Sequence, residues 1–147
     1  MENYVKIQFP FYHEGEKKEW KERMWARPMG QHYELSNTPI YVKEYSFGDV
    51  ISVKNIDGEL FVDELIQESG HSTIRIVFHD MNMRDFTVTK IGDLGCDIVV
   101  TDKPQLIAVD IPPAVDYRNS VLPLLEDGLR ADQLGYEEAC ISTKHSG

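Results

Sequence analysis

Alternation of polar and apolar residues dominates the first part of the chain and predicts strands. Residues 4–9 alternate in this way, and Pro10, which has no backbone N–H to donate, is predicted to end that strand. Further short strands are predicted at 23–26, 33–35 and 40–42. Many short strands separated by turn residues are typical of a small barrel or a strongly curved sheet.

The clearest turn signal is an Asp-Gly pair. Asp57 and Gly58 separate two apolar-rich stretches at 49–53 and 59–65, a pattern that predicts a β-hairpin. The charged stretch 13–21 is predicted to be a loop or an exposed extension of a strand.

The second part of the chain alternates between strand and helix patterns. A β-branched run predicts a strand at 72–78, and apolar residues at helical spacing predict helices over 86–94 and after Asp116. The remaining predicted strands are 97–101, 106–111 and 136–141.

This β-α-β-β-α-β order is the ferredoxin-like pattern. We therefore predict an α+β protein in which a β-rich small barrel or curved sheet precedes a ferredoxin-like unit. The predicted boundaries are 1–69 for the β-rich subdomain and 70–147 for the ferredoxin-like subdomain, either as two units or as one compact domain.

Negative charge is concentrated in two stretches. The 147-residue chain has 25 acids, 15 lysines and arginines, and a formal net charge of -10. Seven acids and one base lie between residues 44 and 68, and five acids and one base lie between 126 and 138, so these stretches carry the whole imbalance. Clustered negative charge repels phosphate and attracts basic surfaces, which favours a protein partner over a nucleic acid.

The first acidic stretch is the predicted partner-binding surface. Trp20 is added because it stands among charged residues, as aromatic hot spots of interfaces often do, and His71 because it follows the stretch closely. The predicted binding residues are Trp20, Glu44, Asp49, Asp57, Glu59, Asp63, Glu64, Glu68 and His71.

The most reactive-looking stretch is 69–73, which reads Ser-Gly-His-Ser-Thr. Its hydroxyls and imidazole could form a nucleophile with a base, or an anion site. Hydroxyls that satisfy the backbone of a turn explain the same residues, so no catalytic residue is assigned. An enzyme centred on His71 would require a concave pocket around that residue.

No metal or cofactor is expected. The five histidines lack ligand spacing, nucleotide-binding glycine motifs are missing, and the two cysteines form no CxxC. The N-terminal sequence has no signal-peptide pattern, and no apolar run has the length of a membrane helix, so a cytoplasmic location is predicted.

Four segments resemble one bacterial family along nearly the whole chain. They are residues 22–26, 47–50 and 69–75 and the Gly95-Cys96 pair, in this order. The family is uncharacterised and is called domain of unknown function 4265. The resemblance implies a small bacterial protein and brings no activity, cofactor or catalytic residue with it.

The sequence thus predicts a non-enzymatic acidic binding protein. The leading hypothesis is an immunity- or antitoxin-type inhibitor that blocks the basic cleft of a bacterial toxin domain by steric and electrostatic means. One alternative is a ferredoxin-like regulator that senses a small molecule, and the other is a small enzyme centred on His71.

Overall fold

The first part of the chain forms a closed five-stranded barrel in the computed structural model, which describes residues 3–146. Consecutive strands pair antiparallel, and a parallel pair between Gln8 and Phe61 closes the barrel. The strands are β1 (Val5–His13), β2 (Lys18–Met29), β3 (His32–Leu35), β4 (Val50–Ile56) and β5 (Glu59–Gln67).

The alternating residues of these strands fill the barrel. Apolar side chains at every second position point inward, because successive residues of a strand face opposite sides. The buried core consists of Ile7, Phe9, Met24, Ala26, Leu35, Val42 and Ile51.

Two strand predictions for this half were wrong in detail. Pro10 does not end β1, which continues to His13. Beyond Gln8, β1 pairs only with β2, and its edge towards β5 has no strand partner among the described residues. The missing N–H of Pro10 is tolerated on that unpaired edge. Residues 40–42 form no strand, because the Glu22 carboxylate accepts hydrogen bonds from all three of their backbone N–H groups, at 2.7, 3.0 and 3.0 Å.

The Asp57–Gly58 hairpin is confirmed. Ile56 pairs with Glu59 across the turn. Both turn residues have positive φ angles, 53° for Asp57 and 89° for Gly58, as a tight two-residue hairpin turn requires. The turn between β2 and β3 lies at Gly30 and Gln31, because Pro28 and Met29 still belong to β2.

The second part forms a four-stranded antiparallel sheet in the order β7-β8-β6-β9, with helices in the connections. The elements are β6 (Ser72–Phe78), a 3-10 turn (Met81–Met83), α1 (Arg84–Asp93), β7 (Asp97–Val100), β8 (Leu106–Ile111), a π turn (Tyr117–Val121), α2 (Leu122–Arg130), β9 (Leu134–Cys140) and α3 (Thr143–Ser146).

Helix α2 and the central strands supply most of the second core. Asp116 caps the π turn by accepting a hydrogen bond from the Asn119 backbone, and Pro123 lies in the first turn of α2, where its missing N–H does no harm. Leu125 packs against a core that includes Ile74 and Ile107. The last strand begins at residue 134, two residues earlier than predicted.

The α+β class is therefore confirmed: residues 3–146 form a closed barrel followed by a second sheet and three α-helices. Polar contacts join the two: Ser46 Oγ and Thr73 Oγ1 lie 2.8 Å apart, and Arg75 donates to the Ile40 carbonyl at 2.7 Å. The division into subdomains 1–69 and 70–147 stays a prediction. Within residues 3–146, every helix is too short or too polar to cross a membrane.

Candidate functional site

Most acids of the first acidic stretch lie on the surface of the β4–β5 hairpin. Asp57 and Glu59 occupy its tip, and Asp63 and Glu64 lie along β5. All four are exposed, and none forms an ion pair within residues 3–146. The hairpin therefore projects unneutralised negative charge into solvent.

The acids at the two ends of the stretch have different surroundings. Glu44 is exposed and precedes the barrel strand β4. Glu68 is also exposed, but its carboxylate accepts hydrogen bonds from the backbone and hydroxyl of Thr143 at 3.1 and 3.3 Å. Glu68 therefore helps to hold the C-terminal helix α3.

Asp49 does not belong to an exposed surface. Only 2% of it is accessible, and its carboxylate accepts hydrogen bonds from the backbones of Ser46 at 3.0 Å and Ser69 at 2.9 Å. Burial raises the pKa of Asp49, while those hydrogen bonds oppose the shift. We conclude that Asp49 ties two loops together and cannot contact a partner in this conformation.

Trp20 belongs to an aromatic cluster instead of standing alone among charges. Its ring stacks on His13 with centroids 4.1 Å apart and lies edge-on to Phe11 at 6.3 Å and to Tyr41 at 6.5 Å. The cross-strand pairing of Phe11 with Trp20 brings these rings to one face of the β1–β2 ribbon. Trp20 is half-buried as a result.

This cluster borders a groove between β1 and β5. Gln8 and Phe61 form the parallel pair that joins the two strands, and beyond it a cavity of about 310 Å³ opens. The groove is lined by Phe9, Pro10, Phe11, Tyr12, Tyr41, Val42, Lys43, Tyr45 and Val62. We call it the aromatic groove.

The acidic strand β5 forms one wall of the aromatic groove. Val62 lines the groove, and the exposed acids Asp63 and Glu64 follow it directly along β5, where a register shift opposite Ser52 and Val53 interrupts the regular alternation of the strand. Lys43 also lines the groove, and its Nζ lies 2.7 Å from the Glu137 carboxylate, which it shares with Arg75. A second lysine, Lys21, lies beside the groove, with its Nζ 5.4 Å from the centre of the Phe61 ring.

The hydroxyls of the 69–73 stretch form hydrogen bonds that stabilise the fold. Ser69 Oγ donates to the Phe47 carbonyl at 2.7 Å, and Thr73 is bonded to Ser46. Ser72 Oγ lies 2.6 Å from Nδ1 of His145. Ser72 and His145 are both buried, so this Ser-His pair holds α3 against the sheet and has no access to a substrate.

His71 is the member of the stretch that faces a cavity. Its Nδ1 lies 2.8 Å from Asp110, a buried carboxylate on β8, which leaves Nε2 as the ring nitrogen available to a ligand. Both residues line a cleft of about 560 Å³ between the barrel and the sheet. Burial raises the pKa of Asp110, and the contact with His71 opposes that shift.

Sequence reasoning missed Asp110, Glu22 and the groove aromatics as site residues. Asp110 is 39 positions from His71, and only the antiparallel pairing of β6 with β8 brings them together. The signal for Phe11 was available in the alternation that it continues after Phe9. Among residues 3–146, no group of three or more metal-ligating side chains is assembled.

The fold and this geometry define a class: a strand-rich α+β protein with an acidic hairpin beside an aromatic groove. Residues 22–136 match the model of DUF4265, a domain of unknown function, and the chain belongs to that family, as its sequence segments predicted. No curated protein matches the chain.

A solved structure has the same fold. It is a crystal structure of a hypothetical protein from Neisseria gonorrhoeae, with a TM-score of 0.85 and 24% sequence identity. The match covers 97% of this chain and 98% of that one. At this identity the likeness establishes the fold and carries no function.

Proposed function

We propose that this protein is a non-enzymatic, cytoplasmic acidic binding protein that holds a basic segment of a partner protein in the aromatic groove. In this proposal it is an immunity- or antitoxin-type inhibitor, and the bound segment belongs to the basic cleft of a bacterial toxin domain. The observation that carries the proposal is that the partly exposed aromatics of the groove lie beside the exposed acids of β5.

The chemistry of the groove fits lysine and arginine side chains. Cations are attracted to the faces of aromatic rings, which Phe11, Tyr12 and Tyr41 supply, and they form charge-assisted hydrogen bonds with carboxylates such as Glu64. Lys43 and Arg75 share the single Glu137 carboxylate, so the attraction for an incoming cation comes from the exposed acids of β5.

Exposed apolar residues interrupt the acids of the hairpin. Ile56, Leu65 and Ile66 are 45%, 42% and 43% accessible. Apolar area enclosed by charged groups has the composition of a protein interface, in which the apolar part contributes affinity and the charged rim contributes steering.

The backbone of β5 offers a further means of binding. After Phe61, the side of β5 that faces away from β4 has no strand partner among the described residues. An extended segment can add to such an edge through main-chain hydrogen bonds. A basic segment in strand conformation would thus bind both the edge and the groove.

The binding proposal is tested with a labelled, strand-length peptide in which lysine and valine alternate. We expect saturable binding by fluorescence anisotropy, weakened about 100-fold by Asp63→Lys with Glu64→Lys and about tenfold by Tyr12→Ala. Raising the ionic strength should weaken wild-type binding, because exposed charges are screened.

The matched control is Asp93→Lys with Asp102→Lys, which changes the net charge equally at exposed positions far along the chain. An equal loss in the control would mean that the peptide responds to net charge alone and would refute the groove. The inhibitor role is tested separately: a basic enzyme captured from a bacterial lysate must lose activity with the wild-type protein and keep it with the double reversal.

We also propose that residues 70–147 form a ferredoxin-like unit. The element order β-α-β-β-α-β and the antiparallel sheet order β7-β8-β6-β9 support this assignment.

One observation favours the small-molecule alternative. His71 and Asp110 line a concave cleft of about 560 Å³, a volume typical of ligand sites. The enzyme alternative has less support, because Ser69 Oγ donates to a carbonyl and is not held by the His71 ring.

A further inference from the structure

The outer face of the β1–β2 ribbon collects polar groups at one place. Lys6 pairs with Trp25 and Gln8 pairs with Arg23, so these four side chains share the face that points away from the barrel core. The face is opposite to the one that carries Ile7 and is separate from the aromatic groove.

Gln8 has an unsatisfied hydrogen-bonding group on this face. The residue is 5% accessible, and its Oε1 has no hydrogen-bond partner within residues 3–146. A buried acceptor without a donor is costly, and native proteins rarely leave one unexplained. Gln8 lines a cavity of about 430 Å³, so a bound molecule could supply the missing donor there.

Two cations stand beside Gln8. Lys6 and Arg23 line this cavity and also the larger cleft that reaches His71, so the two spaces meet at these side chains. Neither cation lies within 4.0 Å of a carboxylate in the described residues. Lys6 Nζ lies 4.7 Å from the centre of the Trp25 ring, so its charge lies at the junction, the place where the two cavities meet.

The nearby acids form no ion pair with these two cations within residues 3–146. Glu22 lines the cleft, but its carboxylate is occupied by the backbone N–H groups of residues 40–42. Glu59 borders the smaller cavity from the hairpin tip, and Asp97 and Asp110 border the larger one, where Asp110 is bonded to His71.

We propose that this face binds a phosphate monoester of a hydroxylated compound. A phosphate monoester carries close to two negative charges at neutral pH, which matches the two cations, Lys6 and Arg23. A hydroxyl of the same compound donates to Gln8 Oε1. The cleft of about 560 Å³, which Phe47 and His71 also line, accommodates the rest of the molecule.

The negative charge of the whole protein does not prevent this binding. At physiological ionic strength, charges are screened beyond about 8 Å, so the acids of distant elements contribute little at the junction. Among residues 3–146, Lys6 and Arg23 are the charged side chains that line both cavities.

The experiment is isothermal titration calorimetry with glucose 6-phosphate and adenosine monophosphate, which represent a sugar and a nucleotide source of the same chemistry. We expect saturable binding of at least one of them, and no binding of glucose or adenosine. Lys6→Gln with Arg23→Gln should weaken it at least tenfold. Lys90→Gln with Lys103→Gln, the same charge change at exposed positions, should leave it within about twofold.

Gln8→Leu separates a binding role from a structural one. If Gln8 Oε1 awaits a donor from the bound molecule, the variant should bind the phosphorylated probe about tenfold more weakly, while the unliganded protein keeps or raises its melting temperature. Failure of both phosphorylated probes to bind would overturn the proposal, as would equal loss in the Lys90/Lys103 control. The result is independent of the peptide experiment, because the two surfaces share no lining residue.

Discussion

The two acidic stretches look alike in the sequence, but the structure treats them differently. In the stretch 44–68, Asp57, Glu59, Asp63 and Glu64 are exposed and have no ion-pair partner within residues 3–146. In the stretch 126–138, four of the five acids have bonded partners: Asp127 with Arg130, Asp132 with His79, Glu137 with Arg75 and Lys43, and Glu138 with Tyr117.

The difference shows that a count of charges does not locate a binding surface. Where acids are bonded to neighbouring groups, their negative charge contributes to the stability of the fold. Cationic partners also offset part of the electrostatic potential that a binding partner would meet. Where acids stand unpaired on a strand, the same charge is available to a partner. This contrast is the reason why we propose a binding role for the barrel stretch and a stabilising role for the sheet stretch.

Asp49 is the exception within the barrel stretch and should show the largest effect on stability. Asp49→Ala removes the acceptor for the backbones of Ser46 and Ser69 and leaves both N–H groups without a partner. We expect the free energy of unfolding to fall by about 2–3 kcal/mol, because unsatisfied buried donors are costly. Urea denaturation followed by circular dichroism measures this change.

Asp49→Asn is the control, because the amide keeps one acceptor oxygen. It should lose clearly less stability than the alanine variant. Both variants should keep peptide affinity once folded. If Asp49→Asn lost affinity for the peptide without losing stability, Asp49 would have to contribute to binding after all. The contrast between the two stretches would then be weaker.

Local patterns in the sequence predicted much of this fold. The hairpin at Asp57 and Gly58 depends on turn chemistry, and β6 and α1 follow from β-branched runs and helical spacing, all of which act between near neighbours. The strand predicted at 40–42 failed because a distant side chain, Glu22, supplies the hydrogen-bond partner that a strand would have supplied.

The candidate sites were less predictable, because they depend on long-range pairing. The contact of His71 with Asp110 arises only when β6 pairs with β8, and the hydrogen bonds of Asp49 arise only when the loops that carry Ser46 and Ser69 meet. The groove exists because β1 and β5 meet at one pair and then separate, a feature that no single strand pattern contains. Composition predicted the exposed acids of the hairpin and could not distinguish them from the paired ones.

Glu137 tests the second stretch, with a smaller expected effect. Its carboxylate lies 2.6 Å from Arg75 and 2.7 Å from Lys43, and although burial opposes the shift, these two cations lower the pKa of Glu137. Glu137→Gln should destabilise the protein by about 1 kcal/mol at neutral pH, a modest value because Glu137 is partly exposed. Affinity for the peptide should change little.

The pH dependence of this loss has a definite sign. Because the folded pKa of Glu137 lies below its unfolded value, the carboxylate contributes stability above that unfolded value and loses the contribution as the pH falls through the folded pKa. The stabilities of wild type and Glu137→Gln should therefore begin to converge below about pH 4 and become equal only below the folded pKa. A difference that persists unchanged in acid would show that packing, and not charge, accounts for the loss.

Substitution of Tyr117 should have the smallest effect on the free energy of unfolding. It tests whether Glu138, an acid of the sheet stretch, is bonded as the structure shows. Its buried hydroxyl donates to Glu138 at 2.5 Å, and burial, followed by this hydrogen bond, raises the pKa of Tyr117. Tyr117→Phe should cost about 0.5–1 kcal/mol at neutral pH, because water can solvate the exposed Glu138 in place of the lost hydroxyl.

Since the folded pKa is raised, the contribution of Tyr117 is complete below its unfolded value and declines as the pH rises beyond about 10. The variant should thus lose less stability than the wild type between neutral and alkaline pH in parallel urea titrations. An equal alkaline loss would mean that Tyr117 does not control the ionisation there, and that Glu138 is as free as the acids of the hairpin.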